Sequence, residues 1–326
     1  MELVANNQPL RMIQHENEIV SNHSSFIEAN TEKVMLGHLK NECIIPVFSK
    51  DNESTISHFQ FIDRTLDIAK SLFPHQQIAE PEIRVSHIVK GRTPSAIGKP
   101  AKELLEHEKT IYYERCAFLI EVPTITQIVN NNLLTLSIGG VRSYSQENLY
   151  SKKTLEKFKV FVGFNNKVCA NLCVSTDGFS NDIRIGSIMD MEEQINTLVS
   201  SYNREKHIQT MTETARYSLT EMQFAHLIGK LRMYTAAPKF QNDLPLSISL
   251  TDSQITSVVR QYYDCPNFKR DGDGSINLWN LYNLFTEANK SSYIDNNIER
   301  NVNAYELINN LGNSFENKSY NWLLPQ

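Results

Sequence analysis

The spacing of apolar positions changes once along the chain. Up to about residue 187 they recur mostly at every second residue, and beyond it at every third or fourth. The exception in the first part is a helix opened by Ser57, with Gln60 three residues on as the second half of a capping box. Phe59, Ile62, Leu66, Ala69 and Phe73 give it one apolar stripe, and Pro74 stops it. CIIPVF (43–48) reads as a short strand that Pro46 confines to an edge or a bulge. EIRVSHIVK (82–90), CAFLIEV (116–122) and LLTLSIGGV (133–141) alternate as strands do, with a polar turn at Asn130, Asn131 and Asn132 between the last two. KVFVGF-NN-KVCANLCV (159–174) is the clearest hairpin, its turn placed at Asn165 and Asn166, a residue type that tolerates positive φ. Gly139-Gly140 and Asp177-Gly178 read as strand ends.

In the second part the capping signals are Asp190 with Glu193, Thr220 with Gln223, Asp252 or Ser253, and Asn277. Each precedes a helical apolar stripe: Met191, Ile195, Leu198, Val199 and Tyr202; Phe224, Leu227, Ile228, Leu231 and Tyr234; Ile255, Val258, Val259 and Tyr262; Leu278, Leu281, Tyr282 and Phe285. Ile298, Val302, Tyr305 and Ile308 close the series. Strands first and helices last predict an α+β fold, with an antiparallel β-rich middle followed by a helical C-terminal part. Residues 1–40, with scattered apolar positions, read as a mobile arm. Residues 41–187 and 188–326 then form a β-rich basic part and a helical part packed on it, as two close lobes or one body.

Composition narrows the class. Hydrophobic residues at 40% and charged residues at 21% suit a globular chain, and no apolar run reaches membrane-spanning length. The first residues lack the basic start and apolar core of a secretory signal. The five cysteines, Cys43, Cys116, Cys169, Cys173 and Cys265, have no disulfide-framework spacing and point to a cytoplasmic protein with core thiols. Cys169 and Cys173 would share a strand face, too far apart for a disulfide or one zinc ion.

The net charge of −5 hides a segregation. Residues 1–83 carry six Lys/Arg against twelve Asp/Glu, residues 84–167 thirteen against seven, and residues 168–326 thirteen against eighteen. The middle is therefore +6 between flanks of −6 and −5. Arg84, Lys90, Arg92, Lys99 and Lys102 follow one another with no acid between them. Arg142, Lys152, Lys153, Lys157, Lys159 and Lys167 are interleaved with Tyr144, Tyr150, Phe158, Phe161 and Phe164. Cations attract phosphates and aromatic faces stack unpaired bases, so this composition suits a single-strand binder. The plainer alternative is a solvated surface whose aromatics turn into the core.

Motif chemistry is sparse, and no catalytic, metal or cofactor site emerges. RDGDGSIN (270–277) imitates a calcium loop, but its register puts Lys269 at the first ligand position and Asn280 at the twelfth. A turn delivering Asn277 as a helix cap explains the same residues. LEHEKTIYYER (105–115) starts like a zinc-protease helix at His107 and Glu108, yet Ile111 stands where the second His belongs, leaving exposed helix-end charge. SIGGVRS (137–143) lacks the longer pattern of a phosphate-binding loop.

Longer strings carry a resemblance: IIPVFSKDNESTISHFQFI, IRVSHIVKGR, SIGGVRSY, ENLYSKK, FKVFVGFNNKVCANLCVSTDG, RYSLTEMQFAHLIGKLRMY and SINLWNLYNLFTEANKSSYIDNNIERNVNAYEL. Over roughly residues 40–324 the chain resembles an uncharacterised bacterial family, domain of unknown function family 3871, of gut Bacteroides-type genomes. KVCANL and LWNLYNLFTEANKSSYID are similar to a phage- and plasmid-encoded family of unknown function, which implies a mobile-element setting. Two expectations follow. One is a non-enzymatic nucleic-acid-binding protein favouring single-stranded DNA, with Arg84, Lys90, Arg92, Lys99, Lys102, Arg142, Lys152 and Lys153 on phosphates and Tyr144 and Tyr150 stacking bases. The other is an interaction or regulatory protein, of anti-defence type, whose basic middle meets an acidic protein. An enzyme would need a site assembled across the fold, for instance from Arg84, His87 and Glu114.

Overall fold

The computed structural model describes residues 25–43, 55–96, 98–146, 155–236 and 247–325. Among them a seven-stranded antiparallel sheet forms the middle. Its order is β1 (Glu32–Val34), β2 (Glu82–Val85), β5 (Arg115–Val129), β6 (Asn132–Ser143), β7 (Glu156–Asn166) and β8 (Asn171–Cys173). β9 (Phe179–Ile185) shares the outer edge of β7 with β8. β3 (Ile88–Arg92) and β4 (Lys109–Tyr113) form a separate hairpin, and β10 (Ser218–Leu219) meets β11 (Ile276–Asn277). The helices are α1 (Leu36–Asn41), α2 (His58–Leu72), α3 (Ile188–Ser201), α4 (Arg204–Thr214), α5 (Glu221–Ala236), α6 (Asp252–Asp264), α7 (Leu278–Asn289) and α8 (Ile294–Glu316). The α+β arrangement read from the sequence is the one observed.

Both faces of the sheet are covered. Phe118, Ile120 and Val122 of β5, Leu136 and Ile138 of β6 and Phe158, Val160 and Val162 of β7 pack with Phe61, Ile62 and Leu66 of α2 and Ile195 of α3. The opposite face presents Ala117, Leu119, Val141 and Phe161 to Ile294, Ile298 and Val302 of α8. Double coverage is why CAFLI and VFVGF read as nearly continuous apolar runs. Gly139 and Gly140 lie inside β6 and end no strand. A Cβ on Gly139 would strike the Phe118 carbonyl and the Phe161 ring, and one on Gly140 would strike the Phe61 ring. The glycines let aromatic layers on opposite faces approach the backbone.

Ion pairs and buried amides fasten α7 and α8. Arg115 Nε lies 2.8 Å from Asp295 Oδ1. The buried Lys159 Nζ donates at 2.6 Å to both Glu299 Oε1 and the Asp295 carbonyl. Asn166 Nδ2 donates to Asn283 Oδ1 at 2.8 Å, and Asn171 Nδ2 to the Asn283 carbonyl at 3.1 Å. Asn289 Nδ2 donates to Asn301 Oδ1 at 3.1 Å, and Asn297 Nδ2 to the Asn289 carbonyl at 2.9 Å. All six asparagines are buried, so each bond replaces one that water would otherwise make.

Several local expectations change. Of the arm expected over residues 1–40, residues 1–24 lie outside the described residues, and the rest is built into the fold: Phe26 and Ile27 are buried under α8, and β1 pairs with β2. EIRVSHIVK divides between β2 and β3, because Ser86 and His87 carry the chain out of the main sheet. The hairpin turn falls after Asn165 and Asn166, which stay in β7; Ala170, at φ 54°, takes the left-handed position. Cys169 therefore precedes β8 and shares no strand with Cys173. Ser187, not Asp190, caps α3, and Thr251, not Asp252 or Ser253, caps α6. Residues 105–115 form a short 3-10 turn running into β4 in place of a helix end. CIIPVF beyond Cys43 lies outside the described residues. The capping boxes at Ser57 and Thr220 and the Asn277 cap form as read.

Candidate interaction surface

The β3–β4 hairpin gathers four of the cations singled out in the sequence. Lys90 pairs in register with Ile111 and Arg92 with Lys109, so Lys90, Arg92 and Lys109 share one face. Like charges directly opposite repel, and the connection between the strands relieves this. Arg92 Nη1 donates to the Lys99 carbonyl, and Lys109 Nζ donates to Glu106 Oε1 at 2.5 Å. Lys99 turns to Glu108 Oε1, while the other oxygen of that carboxylate accepts the Leu105 amide at 3.0 Å. The Lys99 hydrogen bond holds the Glu108 carboxyl below its ordinary range. Lys90 and Lys102 are exposed, and among the described residues neither makes an ion pair. Exposed Ile88 and Leu105 flank them.

The other predicted contacts do not join this group. Arg84, in β2, is turned onto Thr31, with Nε 3.0 Å from its Oγ1 and Nη2 3.0 Å from its carbonyl. It ties β1 to the sheet. Arg142 is 1% exposed, inside the protein. Its guanidinium lies between the rings of Tyr144 and Phe158, 4.6 and 4.3 Å from their centroids, pairs with Glu156 and donates to the Ile56 carbonyl. Tyr144, also 1% exposed, stacks on His58 at 4.5 Å. Buried side chains offer a nucleic acid nothing, so the phosphate role of Arg142 and the stacking role of Tyr144 are corrected to internal ones. Phe158, Phe161 and Phe164 are likewise core residues. Tyr150, Lys152 and Lys153 lie outside the described residues.

The segregated charge is largely spent inside the fold. Arg115 and Lys159 meet acids of α8, Lys157 meets Asp182 at 3.4 Å, and Lys167 meets Glu121 at 3.0 Å.

The His58 cluster was missed by motif reading. Burial, with the neighbouring Arg142 charge, lowers the His58 pKa to about 3, against the hydrogen bond of Nε2 to the Tyr113 carbonyl. Burial, helped by Glu42, raises the nearby Cys43 thiol to about 11. A neutral imidazole beside a protonated thiol is not an activated nucleophile pair. Of the residues named for an assembled centre, Arg84 is held by Thr31, and Glu114 pairs with Arg115 at 3.5 Å. Among the described residues no three His, Cys, Asp or Glu side chains gather to hold a metal ion. The Asp271–Ser275 segment is a turn in which Asp273 Oδ1 accepts the Ser275 amide at 2.9 Å. No described helix is long and apolar enough to cross a membrane.

A family model described as "Domain of unknown function, B. Theta Gene description (DUF3871)" matches residues 11–324. Neither a curated protein nor a solved structure matches the chain.

Proposed function

For this chain, which belongs to the DUF3871 family, we propose a non-enzymatic role in binding nucleic acid, with single-stranded DNA the favoured form. The observation that carries the reading is the β3–β4 hairpin, which presents Lys90 and Lys102 to solvent beside Arg92 and Lys99. Phosphate contact needs cations that are not already neutralised, and these two lysines meet that condition. Exposed Ile88 and Leu105 supply apolar faces against which unpaired bases can lie, whereas paired bases present their faces to one another.

Fluorescence anisotropy of labelled single- and double-stranded DNA, over a salt series from about 50 to 200 mM, tests the reading. Binding that weakens steeply with salt and favours single strands supports it. No binding at the lowest salt overturns it and leaves the same surface to an acidic protein partner. Exposed aliphatic side chains among the cations favour that second reading. A pulldown from lysate with and without nuclease separates the two, since a partner lost on nuclease treatment was held by nucleic acid.

A further inference from the structure

α3 and α4 are joined by a sharp break. Tyr202 ends α3 in an extended conformation, and α4 starts two residues later. Beside that break a cleft of about 450 Å³ reaches the sheet, within the size range of small-molecule sites, about 300–1,000 Å³. Its apolar wall consists of Phe73, at the end of α2, with Leu136, Val162 and Val199. Leu136 and Val162 are sheet residues of the α2 face, so the cleft is a gap in the helical layer.

The rim carries charge of both signs. Arg204 and Glu205 both line the cleft, and among the described residues neither is engaged in an ion pair or a side-chain hydrogen bond. Two amides at the start of α4 are already taken: Asp177 Oδ2 accepts the Asn203 amide at 3.1 Å, and Asn203 Oδ1 accepts the Lys206 amide at 2.9 Å. Tyr202 Oη is taken by His207 Nδ1 at 2.6 Å. The charged groups the rim offers a ligand are one guanidinium and one carboxylate, beside an apolar wall.

We propose that this cleft binds an apolar α-amino acid, its side chain against Phe73, Leu136, Val162 and Val199, its carboxylate on Arg204 and its ammonium on Glu205. A zwitterion matches both free charges, and a guanidinium suits a carboxylate because its parallel N–H groups meet both oxygens. An acid or an amine alone would leave one rim charge unanswered. This site is separate from the hairpin and does not depend on the proposed nucleic-acid contact.

Calorimetric titration of the full chain with L-phenylalanine, 3-phenylpropionate and phenethylamine tests the assignment. L-phenylalanine is expected to bind at least about tenfold more tightly than either analogue, a difference of about 1.4 kcal/mol. Arg204→Gln should erase its advantage over phenethylamine, and Glu205→Gln its advantage over 3-phenylpropionate. Both substitutions lie on the rim; Gln keeps the shape of Glu205 and shortens Arg204 without adding bulk. Equal binding of all three probes, no saturable binding of L-phenylalanine up to about 10 mM, or unchanged binding in both variants would overturn the proposal.

Discussion

Arg142 is a cation whose surroundings reverse the role its charge suggests. Paired with Glu156 and enclosed by two rings, it closes the α2 face of the sheet. Arg142→Met takes the guanidinium away from the buried Glu156 carboxylate, which keeps the Ile56 amide at 3.2 Å, and should cost about 3–5 kcal/mol in urea unfolding. A loss under about 1 kcal/mol would mean that the pair is not buried as described. The sequence did hold the clue: counting by twos from Leu134 through Leu136, Ile138 and Gly140 puts Arg142 on the core-facing side. Charge composition concealed what the period revealed. The glycines upstream make the same point, because their need is set by the Phe61 and Phe161 rings and the Phe118 carbonyl, all from other segments. Gly139→Ala should destabilise strongly, while Gly229→Ala, exposed and free of neighbours in mid-α5, should stabilise by about 1 kcal/mol in the same assay. His58 and His207 add a pH dependence, since burial brings each to a pKa of about 3. Between about pH 6.5 and pH 3 the unfolded chain binds protons that these folded imidazoles refuse. Stability should therefore fall as pH falls through that window, by up to about 1.4 kcal/mol per pH unit for each histidine. Unfolding midpoints from pH 7.5 downward check this, and His207→Gln should reduce the slope.

Elements were legible where their signals are local. Ser57 with Gln60, Thr220 with Gln223, and Asn277 all cap as read, because a cap and its amide lie three residues apart. α4 was not foreseen: REKHIQTMTET carries few apolar positions, and its buried face is His207, Met211 and Thr214, which no hydrophobic stripe announces. The β7–β8 turn was misplaced because Asn165 and Asn166 have other employment. Asn165 Nδ2 donates to Glu121 at 2.6 Å, and Asn166 holds Asn283 of α7. That amide seam sets how the last two helices meet the sheet. Asn283→Ala removes the side-chain acceptor of Asn166 while Asn171 keeps the Asn283 carbonyl, and should cost about 1–3 kcal/mol, measured by urea unfolding. No loss would show that α7 is positioned by its apolar contacts alone.

Across the whole molecule, opposite charge in different segments does two jobs. Acids of α8 meet Arg115 and Lys159 and help seat the C-terminal helices on the sheet, so a basic middle between acidic flanks is in part a docking pattern within one chain. The sequence showed the segregation but not which cations it leaves over, because pairing partners lie up to 180 residues apart. The hairpin's Lys90 and Lys102 are left over, and the proposed function stands on them. The most direct test is the salt dependence of single-stranded DNA binding for the unaltered protein and for Lys90→Glu with Lys102→Glu. Neither lysine supports the fold, so the variant should unfold as the parent does. If they contact phosphates, affinity should drop at low salt and the slope of log K against log salt should become shallower by about 1.4, two contacts at about 0.7 each. An unchanged affinity and slope would contradict the account and take nucleic acid off this surface.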